Sequence, residues 1–383
     1  MLRGGWAVLA LCALLLLPVP GTAGSAATEE KTLEIGGSVM TYPVITGMED
    51  TALQEAVNLR IAEDGNLTGY LTRISQLLSG GTLRVGWTGG VLGDDVFSCA
   101  ISAEGAVEGP RPGFVWTWSN IDLTDGHEIT LSELFTEEEA ARAAMKELLE
   151  WTVAPGLSAH LANSALTPLP EGFFLEPAGL TLLYPASRLS TLHDRAGAVR
   201  LGWHELREYL NLEEGGILSR IGAADMIRWT ENSRTEIARA AEAGALPGIP
   251  AELGASLRAL TDRYGLLTDP DLYEGGRMFA LEGAAFRDVF LLTDGVGETW
   301  DGSVVTGIRM DRGCLFGLCT GQTSREEWRS ALGEPDNTVE FDAERAEANR
   351  TVPGSCDYYR FGKAQLRLYS GEDEVLYSVI LTE

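Results

Sequence analysis

Four histidines, at 127, 160, 193 and 204, are the first chemistry-bearing residues to weigh in this 383-residue chain. His204 opens the run His204-Glu205-Leu206-Arg207-Glu208, which begins as an HExxH motif begins. A zinc-dependent hydrolase needs a second histidine one helical turn later, so that both imidazoles reach one ion. Glu208 stands at that position, and the run reads as the exposed face of a short helix. Ser190, His193 and Asp194 have the residue types of a nucleophile, a base and an orienting acid. A triad is assembled across a fold rather than between sequence neighbours, and no GxSxG elbow accompanies them. Asp122 with Asp125, or Asp294 with Glu298 and Asp301, could gather calcium. Neither group has the EF-hand spacing or its final glutamate, and both sit in Asp- and Gly-rich runs typical of turns. With no phosphate-binding glycine loop either, no catalytic, metal-binding or cofactor-binding residue is assigned, and a non-enzyme is expected.

Aromatic residues offer binding rather than catalysis. Phe114, Trp116 and Trp118 alternate, so one face of a strand carries all three rings. Such a face stacks on sugars, anchors a protein partner or packs into a sheet core. These three are the candidate ligand-binding residues; Tyr358, Tyr359, Phe361 and Tyr369 carry the same choice. Beyond the leader described next lie Cys99, Cys314, Cys319 and Cys356. An even number in an exported chain permits disulfides in any of three pairings. Cys314 and Cys319 are close enough for a local loop and form the candidate disulfide, with buried free thiols as the other reading.

Residues 1–27 read as a signal peptide. Arg3 supplies the positive start, Trp6 to Val19 the apolar core, and Gly21-Thr22-Ala23 or Ser25-Ala26-Ala27 the small-residue cleavage site. The apolar core is short for a membrane span, and no second apolar segment of spanning length follows. The expectation is a secreted, extracellular chain without a membrane span once the leader is removed. The formal net charge of −27 disfavours nucleic acid. It also disfavours unaided contact with anionic lipid or wall polymers, and it suits a cationic protein partner or simple solubility.

The elements that would position these residues centre on Asn120–Phe135, NIDLTDGHEITLSELF. Asp125-Gly126 reads as a two-residue hairpin turn between arms carrying Ile121 and Leu123, then Ile129 and Leu131. Ser132 reads as the N-cap of a helix. Upstream, a strand over 33–42 ends at Pro43, and Asp50 caps a helix carrying Leu53, Ala56, Val57 and Ile61 that Gly65 breaks. A second helix from Leu67 stops at Gly80-Gly81, and strands follow over 83–87, 96–107 and 114–119. Downstream comes an amphipathic helix over 137–151 with Ala140, Ala144, Leu148 and Trp151 on its stripe. Strands over 173–175, 180–184 and 198–201 and a short helix over 203–210 follow. Beyond Gly215-Gly216, residues 221–243 read as one helix and 244–250 as a linker. A helix over 252–264, strands within 278–293 and 304–310, and a helix over 325–332 capped at Thr323-Ser324 complete the second half. The chain then closes on a meander over 357–361, 365–369 and 375–382.

Several stretches carry a family resemblance. YPVITG with LQEAVNLRI, then WSNIDLTDGHEITLSELF, then GFFLEPAGLTLLYPASRL with GAVRLGWHELREYL cover about residues 33–212. Together they resemble the extracellular domain of unknown function shared by lysozyme-sensing anti-sigma factors and the non-catalytic N-terminal module of some peptidoglycan deacetylases. The resemblance implies helices on an antiparallel sheet, no catalysis, and a module facing the cell envelope. It also implies a cationic muramidase such as lysozyme as partner. The chain departs from those sensors in lacking a sigma-binding segment and a membrane span, and from the deacetylases in having no histidine after His204. GLCTGQTSREEWRSALGEPD, followed by CDYYRFG and LRLYS, resembles small envelope domains of the outer-membrane-assembly lipoprotein and β-lactamase-inhibitor type, whose members mostly bind proteins.

The expected fold is α+β, with helices packed on antiparallel sheets in two domains. Residues 33–212 form the N-terminal module, 213–249 a helical linker, and 250–383 the C-terminal domain. The expected function is that of an exported, non-catalytic binding or sensing protein of the cell envelope, with lysozyme-like muramidases or peptidoglycan as ligand. The alternatives are a secreted carboxylate-dependent cell-wall hydrolase and an envelope structural or assembly module.

Overall fold

Alternating burial sets the first sheet. β1 (Ala27–Ile35) turns at Gly36-Gly37 into β2 (Ser38–Thr46), so the single strand expected over 33–42 is the junction of two. Both turn glycines have positive φ, which costs a residue without a side chain little. Pro43 lies inside β2, opposite Glu30. β2 meets the parallel strand β3 (Leu83–Leu92) only at Val39 and Met40. Pro43 therefore faces no second neighbour that would need its missing N–H. β4 (Val96–Gly105) and β5 (Gly113–Asp122) complete a five-stranded sheet of order β1-β2-β3-β4-β5. This structure, a computed structural model, describes residues 25–77, 80–106, 113–152, 169–184, 198–249, 251–264, 271–273, 275–280, 288–294 and 302–383. By packing, the chain divides into two compact units. Unit 1 is Met1–Glu176, Leu180–Val199 and Tyr209–Gly222; unit 2 is Pro177–Gly179, Arg200–Glu208 and Ala223–Glu383.

In unit 1, α1 (Thr51–Asp64) and α2 (Leu67–Gln76) cover one face of the sheet. Asp50 caps α1 as expected, its Oδ1 accepting the N–H groups of Ala52 and Leu53, each at 3.0 Å. Val57, Ile61, Leu71 and Ile74 pack on Met40, Val85, Phe97 and Ile121 to make the core. The turn after β5 is longer than a two-residue hairpin. Gly126 has the expected positive φ, but the returning arm makes only an isolated bridge between Ile121 and Glu128. Asp122 explains the extra length. Its Oδ1 accepts the backbone N–H and hydroxyl of Thr124 at 2.9 and 2.6 Å, which builds a local turn in place of a strand pair.

α3 (Leu131–Leu134) begins one position before the expected cap, because Thr130 and not Ser132 stands at its N-cap. Glu133 lies three residues after Thr130, and its carboxylate accepts the Thr130 N–H at 2.7 Å. That is the capping-box arrangement, which Ser132 could not close with Phe135. Thr130→Ala is expected to destabilise unit 1 by about 1 kcal/mol. Ser132→Ala should cost well under half of that, and urea melts of the two variants check the assignment.

α4 (Glu138–Thr152) is the expected amphipathic helix, with its buried line shifted by one residue. Ala141 and Met145 are fully buried, while Ala140, Ala144 and Leu148 flank them half-buried; the side chain of Trp151 lies outside the described residues. β6 (Gly172–Glu176), β7 (Gly179–Leu183) and β8 (Ala198–Gly202) form a separate three-stranded sheet.

Unit 2 is built on an eight-stranded sheet. Its strands in chain order are β9 (Asp271–Tyr273), β10 (Gly276–Ala280), β11 (Val289–Thr293), β12 (Gly307–Met310), β15 (Asn337–Phe341), β16 (Gly354–Phe361), β17 (Ala364–Gly371) and β18 (Leu376–Thr382). Across the sheet the order is β15-β16-β17-β18-β12-β11-β10-β9, so the expected meander pairs through β18 with β12. A small hairpin of β13 (Cys314–Leu315) and β14 (Leu318–Cys319) joins the two halves of the chain path.

The stretch expected as one helix over 221–243 is a single turn at Ala223–Ile227 followed by α5 (Ser233–Ala243). The expected linker is not one. Ile237, Ala241, Leu246 and Ile249 are buried in the unit 2 core with Leu257, Phe279, Leu291, Trp328 and Leu366. Pro and Gly there bend a packed segment rather than free one. α6 (Leu257–Tyr264) and α7 (Arg325–Leu332) lie on the same core, and Ser324 caps α7 in a capping box with Glu327. α8 (Ala343–Ala348) follows β15. The whole is α+β, with helices on antiparallel sheets, as the sequence leads one to expect. No helix among the described residues is long and apolar enough to cross a membrane.

Candidate functional site

β5 divides its residues between two environments. Thr117, Ser119 and Ile121 face the helices: Ser119 donates to Asp64 Oδ2 at 2.7 Å and Thr117 to the Gly65 carbonyl at 3.3 Å. Phe114, Trp116 and Trp118 therefore share the opposite face, as their spacing predicts. That face is neither bare nor fully covered. All three rings are half-buried. Trp116 and Trp118 pack against Ala100, Phe174 and Leu183, while Phe114 meets Trp116 edge to face with centroids 5.1 Å apart.

β6 packs on one end of the strip. Ser98 Oγ donates to Asn120 Oδ1 at 2.6 Å and accepts the Leu175 N–H at 2.6 Å, and Asn120 Nδ2 donates to the Phe173 carbonyl at 2.9 Å. This buried polar chain holds β6 across β4 and β5. Gly172 then lies flat on the Trp118 indole, where a Cβ would come within 2.6 Å of the ring. Trp118 is thus the end of the strip that β6 covers. Aromatic rings fixed by such neighbours present a large rigid surface at low entropic cost.

Below the strip, the turn brings the acidic residues and His127 together. The Asp125 carboxylate accepts the His127 N–H at 3.0 Å and lies 2.7 Å from its Nδ1, while Glu133 Oε2 lies 2.9 Å from Nε2. Hydrogen bonds to Glu133 and Asp125 raise the pKa of the imidazole above its ordinary value. Asp125 is lowered by the backbone and ring N–H groups of His127. Burial would raise Glu133 and Asp122, but bonds from Thr130 and His127 to the first and from Thr124 and Arg220 to the second outweigh it, and both are lowered.

Ligand atoms of Asp122, Asp125 and His127 lie within 4.8 Å of one another, close enough for one metal ion. The cation such a group attracts is already supplied by the protein. Arg220 Nη2 stands 2.8 Å from Asp122 Oδ2, its Nε 3.2 Å from Asp95, and both imidazole nitrogens face carboxylates. The arrangement clamps a turn.

The remaining sequence candidates divide clearly. Cys314 and Cys319 are opposite each other in the β13–β14 hairpin and are disulfide-bonded, whereas Cys99 and Cys356 are buried free thiols. Ser190, His193 and Asp194, with His160, Glu298 and Asp301, lie outside the described residues, and Asp294 is exposed. The His204 run is an exposed helical face only in part. Arg207 and Glu208 are exposed, but His204 is buried, and the half-buried Glu205 pairs with Arg312 and accepts the Gly202 N–H at 2.8 Å. The side chain that a hydrolase would use as a base is thus an ion-pair partner in unit 2.

Sequence reasoning missed a third cluster. Asp357 on β16 is fully buried and receives Arg325, Arg329, the Trp328 indole N–H and the Thr338 hydroxyl. Arg325, Trp328 and Arg329 stand at i, i+3 and i+4, so α7 turns two cations and an indole toward the sheet, a pattern readable in REEWR.

The chain is therefore a two-unit α+β protein that carries a half-buried aromatic strip on the unit 1 sheet. Neither family models nor curated proteins give a match to it. Among solved structures it is similar to a DUF3298 family member from Bacteroides fragilis, with 13% identity and a TM-score of 0.34 over 50% of this chain and 96% of that one. A DUF3298 family protein from Pseudomonas aeruginosa shows 14% identity and a TM-score of 0.34 over 51% of this chain and 96% of the other. A DUF4309 family protein from Bacillus subtilis shows 14% identity and a TM-score of 0.27 over 40% of this chain and 97% of its own.

Proposed function

We propose that this chain is an exported, non-catalytic binding protein of the cell envelope whose unit 1 recognises a cationic muramidase of the lysozyme type. The observation that carries this reading is the half-buried strip of Phe114, Trp116 and Trp118, held rigid by β6. Rigid aromatics at the centre of a patch are the usual anchors of protein–protein contacts. The net charge of −27 favours a basic partner and fast, salt-sensitive association. The resemblance of residues 33–212 to lysozyme-sensing modules points to the same class of partner, and the signal-peptide pattern of residues 1–27 to the compartment where they would meet.

The test is capture of lysozyme by the leader-free chain over a salt series. Retention is expected at low salt and is expected to fall as salt rises. Trp116→Ala is expected to weaken binding about tenfold or more, as loss of a buried aromatic anchor does. Absence of retention at low salt sinks the muramidase reading, and retention on insoluble peptidoglycan in its place makes the wall the ligand. Release of reducing sugar from peptidoglycan would show the chain to be a hydrolase.

A further inference from the structure

The face of the unit 2 sheet turned away from α5, α6 and α7 holds a group of side chains that the proposed function does not use. Directly paired residues share a face, and the register gives the row Tyr358–Arg367–Ile380–Arg309–Phe290. Beside it runs Cys356–Tyr369–Ser378. Met278, Leu292, Cys356, Tyr369 and Ile380 form a buried floor, with Tyr273, Phe290 and Tyr358 half-buried around it. β9 and β17 are separated by four intervening strands, which in a flat sheet would place them about 24 Å apart at ~4.8 Å per strand. Tyr273 of β9 and Tyr358 of β16 nevertheless both pack against this one floor. The sheet is therefore curled into a cup, and Arg367, paired across the strands with Tyr358, stands on its inner face.

The arginines of this face differ in what they are used for. Arg309 is buried and saturated: it donates to both oxygens of Asp311, at 2.7 and 2.8 Å, and to the carbonyls of Asn349 and Arg350 at 3.1 and 2.6 Å. The guanidinium of Arg345 covers the Phe341 ring at 4.8 Å. Arg367 is tethered at one point only, its Nε donating to Gln365 Oε1 at 3.0 Å, with the guanidinium 5.5 Å from the centre of the Tyr358 ring. Its two terminal nitrogens have no partner among the described residues. Burial raises the pKa values of Tyr273, Tyr358 and Tyr369, so all three hydroxyls stay protonated donors at neutral pH. Among the described carboxylates near the group, Asp311 is consumed by Arg309, and Asp294 is exposed.

We propose that this cup binds a small organic oxoanion, a carboxylate or phosphate carried on a flat apolar body. The anion takes the fork of Arg367 terminal nitrogens, and the rings of Tyr273 and Tyr358 flank the body. A guanidinium with one nitrogen anchored and two free is pre-set for two parallel hydrogen bonds to an oxoanion.

The experiment uses the full chain, ¹⁵N-labelled, titrated with phenyl phosphate, benzoate and inorganic phosphate while the Arg367 Nε–H resonance is followed. Saturable shifts are expected with an aromatic anion, and the tighter of the two identifies the oxoanion. Arg367→Gln is expected to weaken that binding about tenfold or more, the scale of a charge-assisted pair, and exposed Arg360→Gln to leave it unchanged. Should Arg367→Gln unfold, Arg367→Lys keeps the charge without the fork and is expected to weaken binding by a smaller factor. An unmoved Arg367 resonance with all three probes overturns the proposal. So does an equal effect of the Arg360 and Arg367 variants, or binding of inorganic phosphate as tight as that of phenyl phosphate.

Discussion

Asp357→Ala is expected to destabilise unit 2 by about 3–5 kcal/mol, the range found when one partner of a buried ion pair is removed. The carboxylate is 0% exposed and receives Arg325 at 3.0 Å, Arg329 at 2.7 Å, Trp328 Nε1 at 3.0 Å and the Thr338 hydroxyl at 2.7 Å. Burial by itself would raise its pKa. The bonds from Arg329, Arg325, Thr338 and Trp328 overturn that and hold it well below the usual carboxylate range. Removing the carboxylate leaves two guanidinium groups and an indole N–H facing a cavity, so the penalty is that of unpaired groups as well as lost attraction. Arg329 is more exposed than Arg325, at 32% against 15% of its side chain, and water can take over part of its role. Arg325→Ala is therefore expected to cost more than Arg329→Ala. Denaturant midpoints at unchanged m-value measure all three variants. A loss under about 1 kcal/mol for Asp357→Ala would place the cluster among screened surface pairs.

That cluster marks where the sequence stops being legible. Asp50 and Ser324 are readable as caps because the partner N–H groups lie within three residues. Gly126 is readable because a turn needs its positive φ locally. The period-2 spacing of Phe114, Trp116 and Trp118 shows that they share a face. Whether that face is covered depends on β6, brought in by Ser98 and Asn120 from more than fifty positions away. The same holds for Asp357, which meets Arg329 and Arg325 across 28 and 32 positions. Local signals also mislead where tertiary packing overrides them. The Pro- and Gly-rich stretch at 244–250 has the composition of a linker, yet Leu246 and Ile249 are core residues. The Glu205 carboxylate has a distant cation, Arg312, that takes it out of water. Nothing in the HELRE run announces that partner.

Acidification is expected to weaken unit 2 in two separate steps, and His204 makes the first. Burial is the largest cause of its lowered pKa, with the charges of Arg312, Arg200 and Arg207 adding to it, and the result is about 4 against an ordinary 6.5. A buried imidazole with three guanidinium groups nearby resists a proton, while the same imidazole in the unfolded chain accepts one near pH 6.5. Between those values the unfolded state binds more protons, so stability falls as pH falls. The loss starts near pH 6.5, is complete below about pH 4, and amounts to about 3 kcal/mol at ~1.4 kcal/mol per pH unit. Asp357, whose pKa is lowered by its partners, keeps its contribution through that window and loses it only below the ordinary carboxylate range. His127 has the opposite sign. Its raised pKa adds stability below about pH 6.5 that is lost on the alkaline side, but its side chain is 41% exposed and the effect stays within that of a surface pair. His204→Gln removes the titrating group while keeping a polar side chain. Denaturant unfolding between pH 7.5 and 4.2 should therefore show a steep loss in the parent chain and a nearly flat profile in the variant. Equal slopes in the two would mean that His204 binds its proton alike in the folded and the unfolded chain.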